Sequence, residues 1–284
     1  MLDLAPAGEE RTWEGPRGAI AFWELGEGAP VLCLHGFPDH AAGMMPVAED
    51  LAEAGFRAIV PALPGYWPSD PVSGGDYSAG AVSEDLLGLL DHLDTGPVAL
   101  IGHDWGACIG YHVGARDPGR LSHLVALGAP HPAGFELRRT VFSEQRTAWY
   151  ALLLAYAPGA AAVIRDERWL TALVGSWSPG FHWAELPLIA DLLSREGVGE
   201  AICAYYRADM DAALDHRPVR VPATVIYGGQ DGCIRPIAYD GLERWFEAGV
   251  QLHQHGEVGH WPHLEDRAGV TAEILAALGR VPPR

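Results

Sequence analysis

Short runs of apolar and β-branched residues alternate with helical periods of apolar residues through the first half of the chain and again near its end. A run of about four to eight apolar residues is typical of a buried strand, and apolar positions three or four residues apart are typical of a helix. The predicted strands are residues 19–25, 31–34, 57–60, 98–101, 121–127, 223–227 and 251–254. The predicted helices are residues 46–54, 78–93, 105–115, 237–246 and 269–278. This alternation predicts an α/β fold with a mostly parallel central sheet and helices on both faces.

The stretch between the two halves of this pattern, roughly residues 133–216, contains no convincing strand and is rich in aromatic residues. Turn residues, such as Ser-Pro-Gly at 178–180, divide it into helices. Ligands of open α/β sheets bind outside the carboxyl ends of the strands, where an inserted segment would cover them. We therefore predict a core domain of residues 1–132 and 216–284 with an inserted helical cap (lid) of residues 133–215.

The composition is that of a globular protein, since 49% of the 284 residues are apolar and 20% are charged. The formal net charge is −18, and so acidic a surface repels nucleic acids and anionic membranes. The most apolar run, residues 148–164, contains a Pro-Gly break and is short for a membrane span. We therefore expect neither nucleic acid nor a membrane as a partner.

The four cysteines, Cys33, Cys108, Cys203 and Cys233, are scattered and form no C-x-x-C pair. This pattern is typical of a reducing compartment rather than of a disulfide or zinc framework. Residues 1–10 contain neither a basic segment nor an apolar core, so no signal peptide is evident. We expect a cytoplasmic protein, and the sequence leaves a homodimer open.

The sequence Gly-His-Asp-Trp-Gly-Ala at 102–107 lies between a predicted strand and a predicted helix. Its small residues allow a sharp strand–turn–helix bend that lifts one side chain, Asp104, above the sheet. An Asp here also suits the cap of the following helix, but the flanking small residues favour a nucleophile. A carboxylate that attacks a saturated carbon forms an alkyl ester, which water can hydrolyse at the enzyme's own carbonyl group. The residue type therefore predicts substitution at carbon followed by ester hydrolysis.

The sequence His-Gly-Phe-Pro at 35–38 directly follows another predicted strand. A loop at this place can supply one backbone N–H to an oxyanion hole, and the residue after the nucleophile supplies the other. We therefore predict that the N–H groups of Phe37 and Trp105 form the oxyanion hole. We also predict that His35, Pro38 and Trp105 contact the substrate.

Two glycine-flanked positions near the end of the chain fit the acid and the base of a catalytic triad. Asp231 follows a predicted strand in the sequence Gly-Gly-Gln-Asp-Gly, and His260 follows the last one in Gly-His-Trp. In this order the acid fixes the tautomer of the histidine and stabilises its imidazolium. The alternatives are an ordinary turn Asp and a surface histidine, and His253, His255 and His263 compete with His260 locally.

Metal binding is a further alternative, because the chain has 13 histidines. No H-E-x-x-H motif is present. His253 and His255 are predicted to share one face of a strand, but no third ligand lies near them in sequence. We therefore predict no metal and no cofactor.

Four segments, at 35–38, 102–107, 228–231 and 259–261, together resemble the α/β-hydrolase epoxide hydrolases, and the resemblance extends over about residues 19–278. The Asp-centred elbow is specific for the epoxide hydrolase and haloalkane dehalogenase branches, whereas His-Gly-x-Pro is shared more broadly. The resemblance implies an α/β-hydrolase fold with an inserted cap. It also implies an enzyme that converts a small hydrophobic epoxide and water into a vicinal diol.

In that family two lid tyrosines donate hydrogen bonds to the epoxide oxygen. The matching segments here are Ala-Trp-Tyr, which ends at Tyr150, and Ala-Tyr-Tyr-Arg, in which Tyr206 is the third residue. The resemblance therefore implies Tyr150 and Tyr206 in this role. Tyr156 is an alternative to Tyr150, and packing between helices is the alternative for every lid aromatic residue. The chain departs from the family at Trp67, where the family usually has a small residue. The indole of Trp67 could project towards the pocket, and the sequence leaves this question open.

The nearest alternative function is that of a haloalkane dehalogenase, which uses the same triad but expels a halide. A halide needs N–H donors, and the usual partner of Trp105 would be an Asn at the position that Phe37 occupies. Phe37 together with Tyr206 therefore favours an epoxide. A non-catalytic binding protein with this fold is a weaker alternative, because such a protein would be expected to have lost part of the triad.

Overall fold

The computed structural model describes residues 9–136, 140–213 and 215–279. In these ranges the strands are β1 (Glu9–Gly15), β2 (Gly18–Leu25), β3 (Ala29–Leu34), β4 (Phe56–Pro61), β5 (Val98–His103), β6 (Leu121–Leu127), β7 (Ala223–Gly228) and β8 (Val250–His255). They form one sheet in the order β1-β2-β4-β3-β5-β6-β7-β8. The β1–β2 and β2–β4 pairs are antiparallel, and every pair from β4 to β8 is parallel. The predicted mostly parallel α/β sheet is therefore confirmed.

All seven predicted strands are present, and their ends differ from the prediction by at most two residues. The central strands β3, β5, β6 and β7 are buried along most of their length, which explains their strong apolar signal. The prediction missed β1, because its sequence Glu-Glu-Arg-Thr-Trp-Glu-Gly is mostly polar and exposed. Backbone pairing with β2 holds this strand at the edge of the sheet.

The helices are α1 (Ala41–Glu53), α2 (Ala79–His92), α3 (Trp105–Arg116), α4 (Phe142–Thr147), α5 (Trp149–Tyr156), α6 (Ala160–Ile164), α7 (Glu167–Trp177), α8 (Leu186–Leu193), α9 (Val198–Asp211), α10 (Pro262–Glu265) and α11 (Arg267–Ala277). The helix predicted at residues 237–246 is wrong. That stretch forms two 3-10 turns, Pro236–Tyr239 and Leu242–Trp245. Gly241 lies between them with a φ of 67°, a left-handed conformation that interrupts helical hydrogen bonding.

The residues described between β6 and β7 form helices α4 to α9 and no strand, as their sequence pattern predicts. This segment begins after the carboxyl end of β6 and contacts loops at the same edge of the sheet. One such contact is the hydrogen bond from the Tyr205 hydroxyl to the carbonyl oxygen of Pro64, at 3.0 Å. The segment therefore lies where ligands of α/β sheets bind. Its division from the core as a cap of residues 133–215 stays a prediction.

The apolar run at residues 148–164 is divided between α5 and α6, which are separated by Gly159 with a φ of 78°. Among the described residues, no helix has both the length and the apolarity that a membrane crossing requires.

Candidate active site

Asp104 lies in the sharp turn between β5 and α3. Its φ is 50°, in a left-handed region that residues other than glycine seldom occupy and that is enriched at functional sites. The turn needs glycine: a Cβ at Gly102 would lie 2.3 Å from the carbonyl carbon of Gly106, and one at Gly106 would lie 2.4 Å from the carbonyl oxygen of Leu34. The Asp104 side chain makes no capping hydrogen bond to α3. Helix capping therefore does not explain this residue.

The carboxylate of Asp104 is nearly buried and lies between a backbone donor and a histidine. Its Oδ1 accepts a hydrogen bond from the N–H of Phe37 at 2.9 Å, and its Oδ2 lies 3.7 Å from Nε2 of His260. Burial acts to raise the pKa of Asp104, but the hydrogen bond and the charge of His260 outweigh burial and hold this pKa below its usual value. The carboxyl group is therefore ionised at neutral pH, as a nucleophile must be.

His260 and Asp231 form the closest pair of the site. Nδ1 of His260 lies 2.9 Å from Oδ2 of Asp231, and both side chains are completely buried. Oδ1 of Asp231 accepts the N–H groups of Cys233 at 2.7 Å and Ile234 at 2.9 Å, which fixes the carboxylate. Burial acts to lower the pKa of His260, but the neighbouring charges, Asp231 foremost, raise it well above its usual value. The structure thus brings the three predicted triad residues together, with Nε2 of His260 directed to Asp104.

A cavity of about 420 Å³ opens beside Asp104 and is lined by Trp105, Tyr150, Tyr206, Met210 and Ile234, among others. The rings of Tyr150 and Tyr206 pack edge to face with centroids 5.7 Å apart. Burial raises the pKa of Tyr206 well above its usual value, so its hydroxyl is protonated at neutral pH. Both tyrosines assigned by resemblance therefore lie on the same cavity as the carboxylate.

The alternative tyrosine, Tyr156, is placed differently. It is 53% exposed, and its hydroxyl donates a hydrogen bond to Oδ1 of Asp211 at 2.6 Å. It does not line the cavity beside Asp104. The geometry therefore favours Tyr150 over Tyr156.

The two predicted oxyanion donors flank Asp104. The N–H of Phe37 already points at Oδ1 of Asp104, at 2.9 Å. The N–H of Trp105 belongs to the first turn of α3, where N–H groups have no partner within the helix. Both N–H groups are available to the carbonyl oxygen of an ester formed on Asp104.

Two of the predicted substrate contacts have a different place in the structure. His35 is completely buried and its ring is used by the backbone: Nε2 accepts the N–H of Leu63 at 3.0 Å, and Nδ1 faces the carbonyl oxygen of Gly36 at 3.0 Å. Neither His35 nor Pro38 lines the cavity, whereas Trp105 does. The cavity lining does not support substrate contact by His35 and Pro38, and their role in substrate binding stays a prediction.

Trp67 also lies away from the cavity. Its indole is 43% exposed and packs under the guanidinium group of Arg195, with 5.2 Å from the guanidinium carbon to the ring centroid. The indole of Trp67 therefore does not project into the pocket, a question that the sequence left open.

Sequence reasoning missed two residues that contact the site. The Sγ atom of Cys233 lies 3.1 Å from the hydroxyl of Tyr150, and Oγ of Ser178 accepts the backbone N–H of His260 at 2.7 Å. The signal for Cys233 was its position two residues after the candidate acid. Ser178 was visible only as part of a break between helices, so nothing in the sequence connected it to His260.

Comparisons with known proteins agree with this architecture. The sequence model of the family described as alpha/beta hydrolase fold matches residues 29–267. The chain is 28% identical over 260 residues to the AB hydrolase superfamily protein YfhM of Bacillus subtilis, a match that covers 89% of this chain and 91% of that protein. It is 27% identical over 303 residues to an epoxide hydrolase of Caballeronia sordidicola, covering 91% of this chain and 90% of the relative. The crystal structure of a point mutant of an epoxide hydrolase from Bacillus megaterium matches with a TM-score of 0.83 at 25% identity, over 95% of this chain and 100% of that chain. This chain belongs to the α/β-hydrolase fold family.

Proposed function

We propose that this protein is an epoxide hydrolase that converts a hydrophobic epoxide and water into a vicinal diol. The observation that carries the proposal is the convergence of the Asp104 carboxylate with Tyr150 and Tyr206 on one cavity. A carboxylate nucleophile and phenolic acids suit a strained cyclic ether, because the oxygen that leaves carbon stays on the substrate and needs a proton. The epoxide hydrolases of Caballeronia sordidicola and Bacillus megaterium support the same reaction class.

In the first step, a carboxylate oxygen of Asp104 forms a bond to one epoxide carbon while the bond from that carbon to the ring oxygen breaks. The ring oxygen takes a proton from a tyrosine, for which Tyr206 and Tyr150 are the candidates on the cavity wall. The products are a hydroxyalkyl ester on Asp104 and a tyrosinate. The opposed pKa shifts support these two roles. The lowered pKa of Asp104 keeps it ionised as the nucleophile, and the raised pKa of Tyr206 keeps it protonated as the acid.

In the second step, ester formation has removed the Asp104 charge that helps to keep His260 protonated, so His260 loses its proton to solvent. Nε2 of the neutral His260 then takes a proton from water, and the resulting hydroxide adds to the ester carbonyl of Asp104. The N–H groups of Phe37 and Trp105 stabilise the oxyanion. When the ester bond breaks, the departing alkoxide takes one water proton through His260, and the other restores the tyrosine. The oxygen of water remains in the Asp104 carboxylate and an oxygen of Asp104 leaves in the diol.

One observation favours haloalkane dehalogenation as a second candidate: the indole Nε1 of Trp105 is buried and has no hydrogen-bond partner among the described residues. An N–H donor of this kind suits a departing halide. Phe37 adds no side-chain donor, and its backbone N–H is bonded to Asp104. A halide would therefore meet a single side-chain N–H, whereas two tyrosine side chains, Tyr150 and Tyr206, line the cavity beside Asp104.

The test is intact mass spectrometry of His260→Gln after separate exposure to styrene oxide and to 1-bromobutane. Removal of the base blocks ester hydrolysis, so the proposal predicts an adduct with the full mass of the epoxide, mapped to Asp104 by peptide analysis. The matched control is His255→Gln, which alters a histidine of β8 outside the cavity and is expected to turn over without accumulating an adduct. An adduct from the bromide alone would overturn the proposal in favour of dehalogenation. The absence of any adduct would contradict a carboxylate nucleophile.

A further inference from the structure

A second group of polar side chains, Asp39, His103 and His263, is completely buried, and the ring centroid of His103 lies 4.9 Å from that of His260. One nitrogen or oxygen atom from each residue lies within 4.8 Å of the other two. Oδ2 of Asp39, Nδ1 of His103 and both ring nitrogens of His263 have no hydrogen-bond partner among the described residues. Buried polar atoms are nearly always paired, because burying them unpaired is costly. Three such atoms, one from each residue, converge on one place and point to a ligand that they share.

Hydrogen bonds orient two of the three residues, His103 and Asp39. Nε2 of His103 lies 2.9 Å from the carbonyl oxygen of His260 and must donate to it, so Nδ1 of His103 carries a lone pair. Oδ1 of Asp39 accepts the N–H of His40 at 2.7 Å, which orients Oδ2. Hydrogen bonds of this kind, from the far side of an imidazole or a carboxylate, orient the ligands of protein metal sites.

The spacing of the two imidazoles fits a single metal ion. The ring centroids of His103 and His263 are 4.7 Å apart. Two imidazoles that bind one tetrahedral zinc ion through Zn–N bonds of about 2.0 Å have centroids about 5 Å apart. Neutral imidazoles are the form that binds metals, and a divalent cation would offset the cost of a buried carboxylate.

Contrary to the expectation of no metal from the sequence, we propose that Asp39, His103 and His263 form a binding site for one zinc ion. Two histidines and one carboxylate are a common zinc ligand set that leaves a fourth position for water. Asp39 lies between β3 and α1, His103 ends β5 and His263 lies in α10, so the three residues are close in sequence to Phe37, Asp104 and His260 respectively. Zinc would therefore hold together the loops of the oxyanion donor, the nucleophile and the base. Its role is positioning, no step of hydrolysis passes through it, and the proposal does not depend on the identity of the substrate.

The test is the metal content of the purified full-length chain after dialysis against zinc chloride and then against metal-free buffer. We expect about one zinc ion per chain by plasma mass spectrometry, and X-ray absorption at the zinc edge with nitrogen and oxygen ligands at about 2.0–2.2 Å. Crystals of the loaded protein are expected to show one anomalous peak between Asp39, His103 and His263. Wild-type protein that retains no zinc would overturn the proposal without the need for any variant.

Two variants test whether zinc binds at this site or at a group of ligands around His255 on the surface. Asp39→Ala and His263→Gln each remove one ligand, so zinc affinity is expected to fall at least tenfold, with folding checked by circular dichroism. The matched control is His255→Gln, since His255 contacts the carboxylates of Asp266 and Glu273 at 2.8 and 3.2 Å on the surface of the protein. His255→Gln is expected to keep its zinc. Loss of zinc in His255→Gln, or an anomalous peak beside Glu273, would overturn the proposal.

Discussion

The side-chain oxygen of Ser178 lies 2.7 Å from the backbone nitrogen of His260, which donates a hydrogen bond to it. The same hydroxyl donates to Oε1 of Glu265 at 2.7 Å, and Glu265 also accepts the N–H groups of Gly259 and Trp261. The segment between β6 and β7 therefore helps to hold the loop that carries the proposed base. This contact links the helices over the cavity to the chemistry below them.

We expect Ser178→Ala to lower both stability and turnover. The substitution leaves the buried N–H of His260 without its acceptor, which costs about 1–3 kcal/mol in the free energy of unfolding. Chemical denaturation and kcat with styrene oxide are the measurements. Ser176→Ala is the matched control, because the Ser176 hydroxyl donates within its own helix to the carbonyl oxygen of Leu173. Equal effects of the two substitutions would contradict a specific role for Ser178.

We expect Tyr206→Phe to slow ring opening by about a hundredfold or more, because a positioned general acid contributes at least that factor. The first-step rate can be followed by stopped-flow tryptophan fluorescence, since the Tyr206 ring packs against Trp105 with centroids 5.1 Å apart. Tyr156→Phe is the control and is expected to leave this rate unchanged, because its hydroxyl bonds Asp211 at the surface. An unchanged ring-opening rate in Tyr206→Phe would contradict Tyr206 as the general acid, and a slow Tyr156→Phe would contradict the choice of Tyr150 over Tyr156.

We expect Asp231→Asn to block the second step while the first proceeds. The Asn oxygen would keep the bonds from the N–H groups of Cys233 and Ile234, so its amide nitrogen would face Nδ1 of His260. Nδ1 would then become an acceptor and Nε2 would carry the proton, so His260 could no longer act as a base. By analogy with other triads, ester hydrolysis should fall roughly 10³- to 10⁴-fold. Single-turnover mass spectrometry measures this decay, and an ester that disappears at the wild-type rate would contradict the assigned tautomer.

We expect Gly36→Ala to displace Asp104, the proposed nucleophile. A Cβ at Gly36 would lie 2.4 Å from Cβ of Asp104 and 2.5 Å from its Oδ1, so one of the two residues must move. Such overpacking costs about 1–3 kcal/mol in stability. The control is Gly175→Ala in α7, where a Cβ would meet nothing within 4 Å and helix propensity predicts a gain of about 0.5–1 kcal/mol. Thermal unfolding measures the loss of stability and kcat measures the displacement of Asp104. A stable Gly36→Ala variant with wild-type kcat would contradict the close packing of Gly36 against Asp104.

We expect His35 to contribute to acid denaturation. Burial lowers its pKa in the folded protein to about 3, below the usual value of 6.5. The unfolded chain therefore binds a proton that the folded protein does not, so this contribution is fully present above pH 6.5 and is lost as the pH falls towards 3. In His35→Gln the free energy of unfolding should fall less steeply on the acid side, by about 1.4 kcal/mol per pH unit. Denaturation at pH 4 to 7 tests this, and an unchanged slope would contradict a neutral His35.

The sequence by itself determined most of the frame. Buried parallel strands are continuous apolar runs, so β3, β5, β6 and β7 could be located from a short window, whereas the polar edge strand β1 could not. The elbow around Asp104 was also visible, because a sharp turn demands small residues at neighbouring positions. Helix propensity alone was misleading at residues 237–246, where Gly241 interrupts the helix. A short stretch of sequence therefore predicts those features that depend on the residues within that stretch.

Only the tertiary structure decided which distant side chains meet. It placed Tyr150 on the cavity and Tyr156 on the surface, although both belong to the same helix, because a helix turns successive residues to different faces. It also turned His35 towards the backbone and brought Ser178 to His260. Contacts between loops at the carboxyl ends of separate strands depend on the order of those strands in the sheet, and no spacing along the sequence encodes that order.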